Sequence, residues 1–445
     1  MDLKKGLMKK NIGVLGLGKS GVAAANLAVR LGYNVFASDC GGKRVIKFLN
    51  KKITTEFFNH SDKILNSDVI IKSPGIHSDI PILEKAIARK IKIISELAFS
   101  VSNSKYKKII AITGTNGKTT TTDLIAKIIN AAHKDSIVVG NIGFPLSDKA
   151  LKTTKNTYIT MELSSYQLED TPDFRSEVSV LLNITPDHLG RHKTMNAYIK
   201  AKEIVFVNQK RADFTVVNYD DKICRKIASK AKSNVIFFSK KPLRNGVFYD
   251  NGKIVIQLGK KHIEINPKIN IVGSHNIENI LAATAATYVS RTNRAIIEKV
   301  ISGYKGVEHR IEFVKTVNDV DYYNDSKSTN IDSTRVAIES FSGNVLLIMG
   351  GRDKGSSYMP LKNLVKRKVK SIFLVGEASK KIKKDLKGST LFFDCANIES
   401  AVKQIYKTAE AGDIVLLSPA CASFDQFNNF EERGAIFKQI VRKFK

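Results

Sequence analysis

The 445-residue chain has no run of about 18 apolar residues, so no membrane-spanning helix is predicted and insertion into a membrane is not expected. Cysteine is scarce: Cys40, Cys224, Cys395 and Cys421 are scattered without paired spacing, which fits a reducing cytoplasm and argues against a zinc cluster. Acidic residues are outnumbered, 42 against 72 lysines and arginines, for a net charge of +30. A surplus of that size raises nucleic acid as a partner. However, the lysines are spread along the whole chain, and no stretch interleaves them with aromatics. Nucleic acid is therefore not an expected partner, and what survives of the charge argument is a welcome for anionic, phosphate-bearing substrates. Internal repeats and low-complexity linkers are missing as well. So is a small-residue cleavage site after "MDLKKGLMKKNIGVLG", which runs into a glycine turn and reads as a first strand, not a signal peptide.

What is present is a globular composition, 43% hydrophobic and 26% charged, in a chain long enough for two to four domains. Strands rich in Ile and Val alternate with helix-length amphipathic stretches, which predicts parallel α/β sheets. A first segment carries "KNIGVLGLGKSG", "NVFASD", "SDVIIKSPG" and "IKIISE", each strand followed by a helical stretch. A second opens at "IIAIT" and continues through "YITMEL", "VSVLLNIT" and "ADFTVVN" to a hairpin, "GVFYDNGKIVIQL", turning at Asn251-Gly252. A third begins near "GVEHRIEFV" and holds "NVLLIMGG", "SIFLVG", "TLFFD" and "DIVLLSPA". Boundaries fall near 103 and 307.

Two glycine turns follow strands and open helices. In the first, Gly16, Gly18 and Gly21 match G-x-G-x-x-G, and Asp39 closes the next strand where a ribose-binding acid would sit. Alone this reads as NAD or FAD. The physics is less specific, because backbone N–H groups at a helix N-terminus approach any diphosphate, a UDP-sugar included. A merely tight turn is the plain alternative. The second turn, "TGTNGKTTTT", lacks the first glycine of G-x-x-x-x-G-K-[ST], since position 112 is Ile112. Gly114, Thr115, Asn116, Gly117, Lys118, Thr119 and Thr120 still supply inward amides, a lysine for the β- and γ-phosphates and a hydroxyl for Mg²⁺. The strand "YITMEL" ends in Glu162, beside Ser164, Ser165 and Gln167, and the next delivers Asp187 and His188. Parallel sheets place ligand sites at these strand ends, so the acids and the loop are expected to converge.

Eight ordered motifs, "TGTNGKTTTT", "ELSSYQLE", "NITPDHLGRH", "AYIKAKEIVF", "GSHNIENILAA", "GVEHR", "NDSKSTN" and "LSPACASFDQFNNFEERG", together resemble the Mur ligases of peptidoglycan synthesis across essentially the whole chain. The resemblance implies three α/β domains: a Rossmann-like UDP-substrate domain at 1–103, a central ATP-binding domain of phosphate-loop type at 104–307, and a Rossmann-like, amino-acid-binding domain at 308–445. "GLGKSG" with an early "SPGI", "TNGK" in place of "THGK", and "GGRDKG" without D-N-P-R resemble the branch that adds D-glutamate to UDP-N-acetylmuramoyl-L-alanine. One departure is Gly190, where the family generally has aspartate.

The implied chemistry is ATP-driven amide formation through an acyl phosphate, in the cytoplasm, by a monomer. Lys118, His188 and Lys202 are the implied catalytic residues, with Thr119, Glu162 and His188 as Mg²⁺ ligands. Lys202 is implied to be carbamylated, because an ammonium would repel the ion while a carbamate offers it oxygen; Lys200 and Lys210 read as solvated lysines. Asn276, Arg310 and Asp325 match positions around ATP, although His275–Asn276 also reads as a helix cap and His309–Arg310 as a solvated linker pair. The UDP-linked substrate is assigned to Gly16, Gly18, Lys19, Ser20, Asp39, Ser73, Pro74, Gly75, Asn141 and Ser164. D-Glutamate is assigned to Lys327, Thr329, Lys354, Ser423 and Phe430. Cys421 has no paired histidine and reads as a small packing residue. The rivals are another amide ligase of the superfamily, a nicotinamide dehydrogenase and a nucleic-acid-binding ATPase. No hydride-transfer site follows the first turn, and no second acidic motif of the helicase kind is present.

Overall fold

The computed structural model describes residues 11–133, 135–141, 143–353 and 355–444. The first sheet joins β1 (Asn11–Leu15), β2 (Asn34–Asp39), β3 (Thr54–Phe57), β4 (Val69–Lys72) and β5 (Lys92–Ser95), all parallel, in the order β3-β2-β1-β4-β5. Its central strand is apolar on both faces, as a sheet covered on both sides requires: Ile12, Val14 and Leu15 are buried. The helix Lys19–Arg30 packs Ala24, Leu27 and Ala28 against Val14, Val35 and Ile71. The switch point between β1 and β4 lies beside the first glycine turn, where an open parallel sheet binds its ligand.

The second sheet contains β6 (Lys108–Thr113), β7 (Ser136–Gly140), β8 (Tyr158–Glu162), β9 (Val178–Leu181), β10 (Phe214–Asn218), β11 (Asn234–Ser239), β12 (Gly246–Asp250), β13 (Lys253–Leu258) and β14 (Lys261–Ile265). Their order is β14-β13-β12-β11-β10-β9-β6-β8-β7, parallel from β12 to β7 and antiparallel at β12-β13-β14. The hairpin turns at Asn251 and Gly252 with φ of 47° and 85°, the pair of positive values that matches strand twist. The third sheet is β15 (Glu312–Val317), β16 (Val320–Asn324), β17 (Val345–Gly350), β18 (Val369–Val375), β19 (Leu391–Asp394) and β20 (Ile414–Leu417). Its order is β15-β16-β20-β17-β18-β19, with only β15 antiparallel.

The chain divides into two compact units. One takes in the first two sheets, up to Pro267, together with Glu278–Ile301; the other takes in Lys268–Ile277 and the chain from Ser302 on. The pattern expected in the first segment differs at one place. After β2 the chain makes a 3-10 turn, Lys43–Phe48, and then β3, not a full helix. "TTEF" is a short edge strand with no apolar run, so periodicity does not reveal it. The edge strand β14, "KHIEI", is largely exposed and escapes notice for the same reason.

Candidate active site

Sheet register assembles the site around the second glycine turn. Ile112 of β6 pairs with Glu162 of β8, which pairs with Gly140 of β7, while Thr113 pairs with Leu181 of β9. The C-terminal ends of four adjacent strands therefore surround the loop between β6 and the helix Lys118–His133. Gly114 and Gly117 have φ of 156° and 83°, and a Cβ on Gly117 would lie 2.2 Å from Asn279 Oδ1. Glycine is required there by both torsion and space. The Asn183–Thr185 segment after β9 braces the loop: Asn183 Oδ1 accepts from Asn116 N at 2.7 Å, its backbone carbonyl accepts from Thr115 N, and Thr185 N donates to Thr115 Oγ1. Thr119 is half-buried and Thr120 buried in the first helical turn.

Two lysines meet one carbonyl. Lys118 Nζ donates to Gly114 O at 2.8 Å and Thr115 O at 2.7 Å, and Lys202 Nζ donates to Gly114 O at 2.9 Å. Lys202 comes from the helix Met195–Val207 and is only 1% exposed, its ammonium 4.7 Å from the Tyr198 ring centroid. Burial, then the neighbouring Lys118 charge, holds its pKa well below the ordinary lysine range. An uncharged amine is the form that burial favours.

Glu162 is 1% exposed. Its Oε1 accepts from Asn141 Nδ2 at 2.8 Å, while Oε2 is buried with no hydrogen-bond partner among the described residues. A buried, unsatisfied carboxylate oxygen is costly unless something cationic meets it. His188 sits in the left-handed region, φ 54°, with Nδ1 2.9 Å from the Tyr166 hydroxyl and Nε2 3.4 Å from Asp187. Burial lowers its pKa against the pull of Asp187, so the neutral ring is favoured. Gly190 opens onto space, and a side chain there would meet nothing within 4 Å. Ser164 caps the helix Ser165–Glu169 in a reciprocal capping box with Gln167.

At the first turn, Gly21 is needed for close packing, since a Cβ would fall 1.8 Å from Gly16 O, whereas Gly18 is open. Lys19 is exposed and Ser20 half-buried at the helix start. The Asp39 carboxylate accepts from the backbone N–H groups of Leu17 and Gly41, and so ties the turn to β2. Ser73 Oγ donates to Gly16 O at 2.7 Å, placing Ser73, Pro74 and Gly75 beside that turn.

In the second compact unit, Asp325 follows β16 and accepts from Ser418 Oγ, after the adjacent β20, at 2.8 Å. Complete burial pushes its carboxyl up to about 6, opposed by Arg310. Arg310 Nη1 is 3.4 Å from Ser328 Oγ, and Lys327 Nζ lies 6.0 Å from the Phe430 ring. Thr329 N donates to Lys327 O, and Ser423 is buried. Asn276 is buried with Nδ2 donating to Val272 O at 2.6 Å. Lys354 lies outside the described residues. His309 is buried and accepts at Nδ1 from Asn324, so it is a packed residue and not a solvated one. Cys421 Sγ is 3.0 Å from the Tyr358 hydroxyl, and burial lifts its thiol to about 11, which suits packing and not nucleophilic attack.

Sequence reasoning missed several residues in each of the two units. Asn183, Tyr198 and Asn279 brace the phosphate loop. Tyr166 and Arg191 order His188, with the Arg191 guanidinium 4.3 Å over the Tyr166 ring. Buried Arg433 donates to Ser326 and to Cys421 O. Each lies inside a quoted motif, but its role depends on a partner distant in sequence.

A lysine-bearing loop at a helix N-terminus with a buried carboxylate on the neighbouring strand defines a nucleotide-phosphate-binding α/β protein. Family models described as the Mur ligase MurD-like N-terminal domain, the Mur ligase middle domain and the Mur ligase glutamate ligase domain match residues 10–95, 112–287 and 309–421. The chain belongs to the Mur ligase family. It is 44% identical to a protein of Elusimicrobium minutum named UDP-N-acetylmuramoylalanine–D-glutamate ligase, over 96% of this chain and 97% of the relative. Proteins of the same name from Koribacter versatilis and Clostridioides difficile are 42% and 40% identical, over 98% and 100% of this chain and 97% and 100% of their own lengths. The fold is shared with the UDP-N-acetylmuramate–alanine ligase MurC of Thermotoga maritima, with TM-score 0.61 and 19% identity over 97% of this chain and 99% of that one. It is also shared with the MurF ligase of Thermotoga maritima, solved with ADP, with TM-score 0.62 and 15% identity over 92% and 95%.

Proposed function

We infer that the chain is an ATP-dependent ligase that joins D-glutamate to UDP-N-acetylmuramoyl-L-alanine in peptidoglycan precursor synthesis. The observation that carries this reading is its full-length similarity, 40–44% identity, to ligases of that name. The site chemistry is consistent with it. Phosphoryl transfer asks for charge neutralisation and alignment more than for covalent help. In this reading the loop amides from Gly114 to Thr119 cradle phosphate oxygens, and Lys118 exchanges its loop carbonyls for the β- and γ-phosphates. The L-alanyl carboxylate attacks the γ-phosphorus and the bond to ADP breaks, giving an acyl phosphate. The D-glutamate amine then attacks that carbonyl carbon, loses a proton, and phosphate departs.

The donor set fits magnesium: Thr119 offers a hydroxyl, Glu162 a buried oxygen with no hydrogen-bond partner among the described residues, and His188 a ring nitrogen whose lowered pKa favours the neutral form. When bound, the ion supplies positive charge against the phosphates. The depressed pKa of Lys202 supports its carbamylation, since the neutral amine attacks CO₂ and loses a proton to leave an anionic carbamate. Asn276, Arg310 and Asp325 are assigned to ATP. Gly16, Gly18, Lys19, Ser20, Asp39, Ser73, Pro74, Gly75, Asn141 and Ser164 are assigned to the UDP-linked substrate. Lys327, Thr329, Lys354, Ser423 and Phe430 are assigned to D-glutamate. Action as a cytoplasmic monomer completes the reading. The test is phosphate release from ATP with UDP-N-acetylmuramoyl-L-alanine and a panel of amino acids. D-Glutamate should support turnover, and turnover with a different amino acid in preference to D-glutamate would overturn the assignment.

A further inference from the structure

The first and second sheets are joined at a point that the reaction chemistry does not use. Lys72 ends β4 and Ser95 ends β5, and the two are register partners on neighbouring strands. Each grips one of two consecutive residues that follow the helix Ser165–Glu169. Lys72 Nζ lies 2.6 Å from Asp170 Oδ2, with side chains 5% and 4% exposed. Ser95 Oγ lies 2.6 Å from Thr171 Oγ1, and both residues are buried. Lys72 Nζ also donates to Ile76 O at 2.7 Å, closing the Ser73–Gly75 turn from behind. A third tie comes from the other side, where Arg191 Nη1 donates to Pro74 O at 2.9 Å while its guanidinium covers Tyr166, the partner of His188.

Burying two charges is expensive, and an apolar pair of similar volume is often as stable or more so. A buried pair at this place is therefore weakly explained by stability. It is better explained by geometry, because only a five-residue helix, Ser165–Glu169, held by a capping box, separates Glu162 from Asp170. We propose that Lys72 and Ser95 form a two-point clamp on Asp170–Thr171 that holds the Ser73–Gly75 turn in register with Glu162. Lys72 is thereby a positioning residue for the UDP-linked substrate, a role that rests on the activity inferred above. Displacement of a substrate by about 1 Å costs as much as 100-fold in rate, so a loose clamp would be felt at one substrate and not at ATP.

The decisive variant is the double substitution Lys72→Met with Asp170→Leu, which removes both buried charges together. Its Tm should stay near that of the wild type, while the KM for UDP-N-acetylmuramoyl-L-alanine rises at least about ten-fold and the KM for ATP moves less than about two-fold. A folded double variant with wild-type KM and kcat overturns the clamp, as does an equal rise in both KM values. Should that protein not fold, Ser95→Ala with Thr171→Val loosens the second grip without burying a charge. A rise of about three-fold in the same KM supports the clamp, and no change overturns it. Calorimetric binding of UDP-N-acetylmuramoyl-L-alanine to the wild type reports on the inferred activity alone. If that binding is absent, the clamp is still judged by hydrogen exchange at the Ile76 amide, which bonds to Ser73 O. Exchange should quicken in either variant, and an unchanged rate overturns the proposal.

Discussion

The two glycine turns share a backbone plan and differ in what their carbonyls and amides meet. At the first, Asp39 accepts from the N–H groups of Leu17 and Gly41, and Gly18 stands open at the helix start. At the second, two lysines converge on the carbonyl of Gly114, and a buried carboxylate oxygen of Glu162 has no hydrogen-bond partner among the described residues. The amides of the first turn are thus met by a carboxylate of its own chain. The second keeps one buried carboxylate oxygen, Glu162 Oε2, with no hydrogen-bond partner among the described residues, a costly state unless a cation meets it. Strand–glycine–helix geometry admits a diphosphate in both places, and side chains from other elements are what set the two apart.

The largest expected effect tests that asymmetry. Lys202→Ala should lower kcat by about 100-fold or more, the scale of losing one aimed charge-stabilising group, while Lys200→Ala stays close to wild type. Short-chain carboxylates should restore part of the lost activity. Full activity of Lys202→Ala, or no carbamate signal in wild-type protein supplied with carbon-13 bicarbonate, would remove the carbamate from the comparison.

Next in size is the contact between the helix Glu96–Ser102, which follows β5 of the first sheet, and the helix Leu146–Lys149, which follows β7 of the second. Glu96 is buried and accepts from Ser147 Oγ at 2.5 Å, and burial raises its carboxyl to about 7 from an ordinary 4.5. A carboxyl raised in this way contributes stability that is fully present below about 4.5 and is lost as pH rises through about 7. Glu96→Gln should therefore melt higher than wild type at pH 8, by up to about 3 kcal/mol of stability, and match it near pH 4. Equal melting temperatures at pH 8 would show that the buried carboxyl carries no penalty.

Glycine substitutions then separate the two turns. Gly117→Ala meets Asn279 in a left-handed torsion and should cost about 1–3 kcal/mol together with much of the ATP turnover. The smallest change is expected at Gly18→Ala, which meets nothing within 4 Å and has φ of −65°. Denaturant melts should place it within about 0.5 kcal/mol of wild type. A Gly18→Ala protein destabilised as much as Gly117→Ala would mean that the turns are equally constrained and the contrast is false.

Much of this was readable in the chain. Long apolar strands such as "VLLIMG" and "IIAIT" announce themselves, and the Asn251-Gly252 hairpin follows from turn chemistry alone. The expected strand ends do deliver Glu162 beside the phosphate loop, because parallel register places Ile112 opposite it. Short polar edge strands such as β3 were not readable, since an edge exposes one side and needs no apolar run. Nor was the packed state of His309, whose partner Asn324 is supplied by a neighbouring strand.

Local sequence was enough to mark where the chain turns, which strands are buried on both faces, and which loops set glycines between a strand and a helix. These follow from local torsional limits and hydrophobic period, which act within a few residues. It took the packed chain to bury Lys202 beside Lys118 with its pKa driven well below the ordinary lysine range, to leave Glu162 Oε2 without a hydrogen-bond partner among the described residues, and to bring Lys72 to Asp170 across 98 residues. Those outcomes depend on solvent exclusion and on charges at distances of a few ångströms. Spacing along the chain does not encode either one.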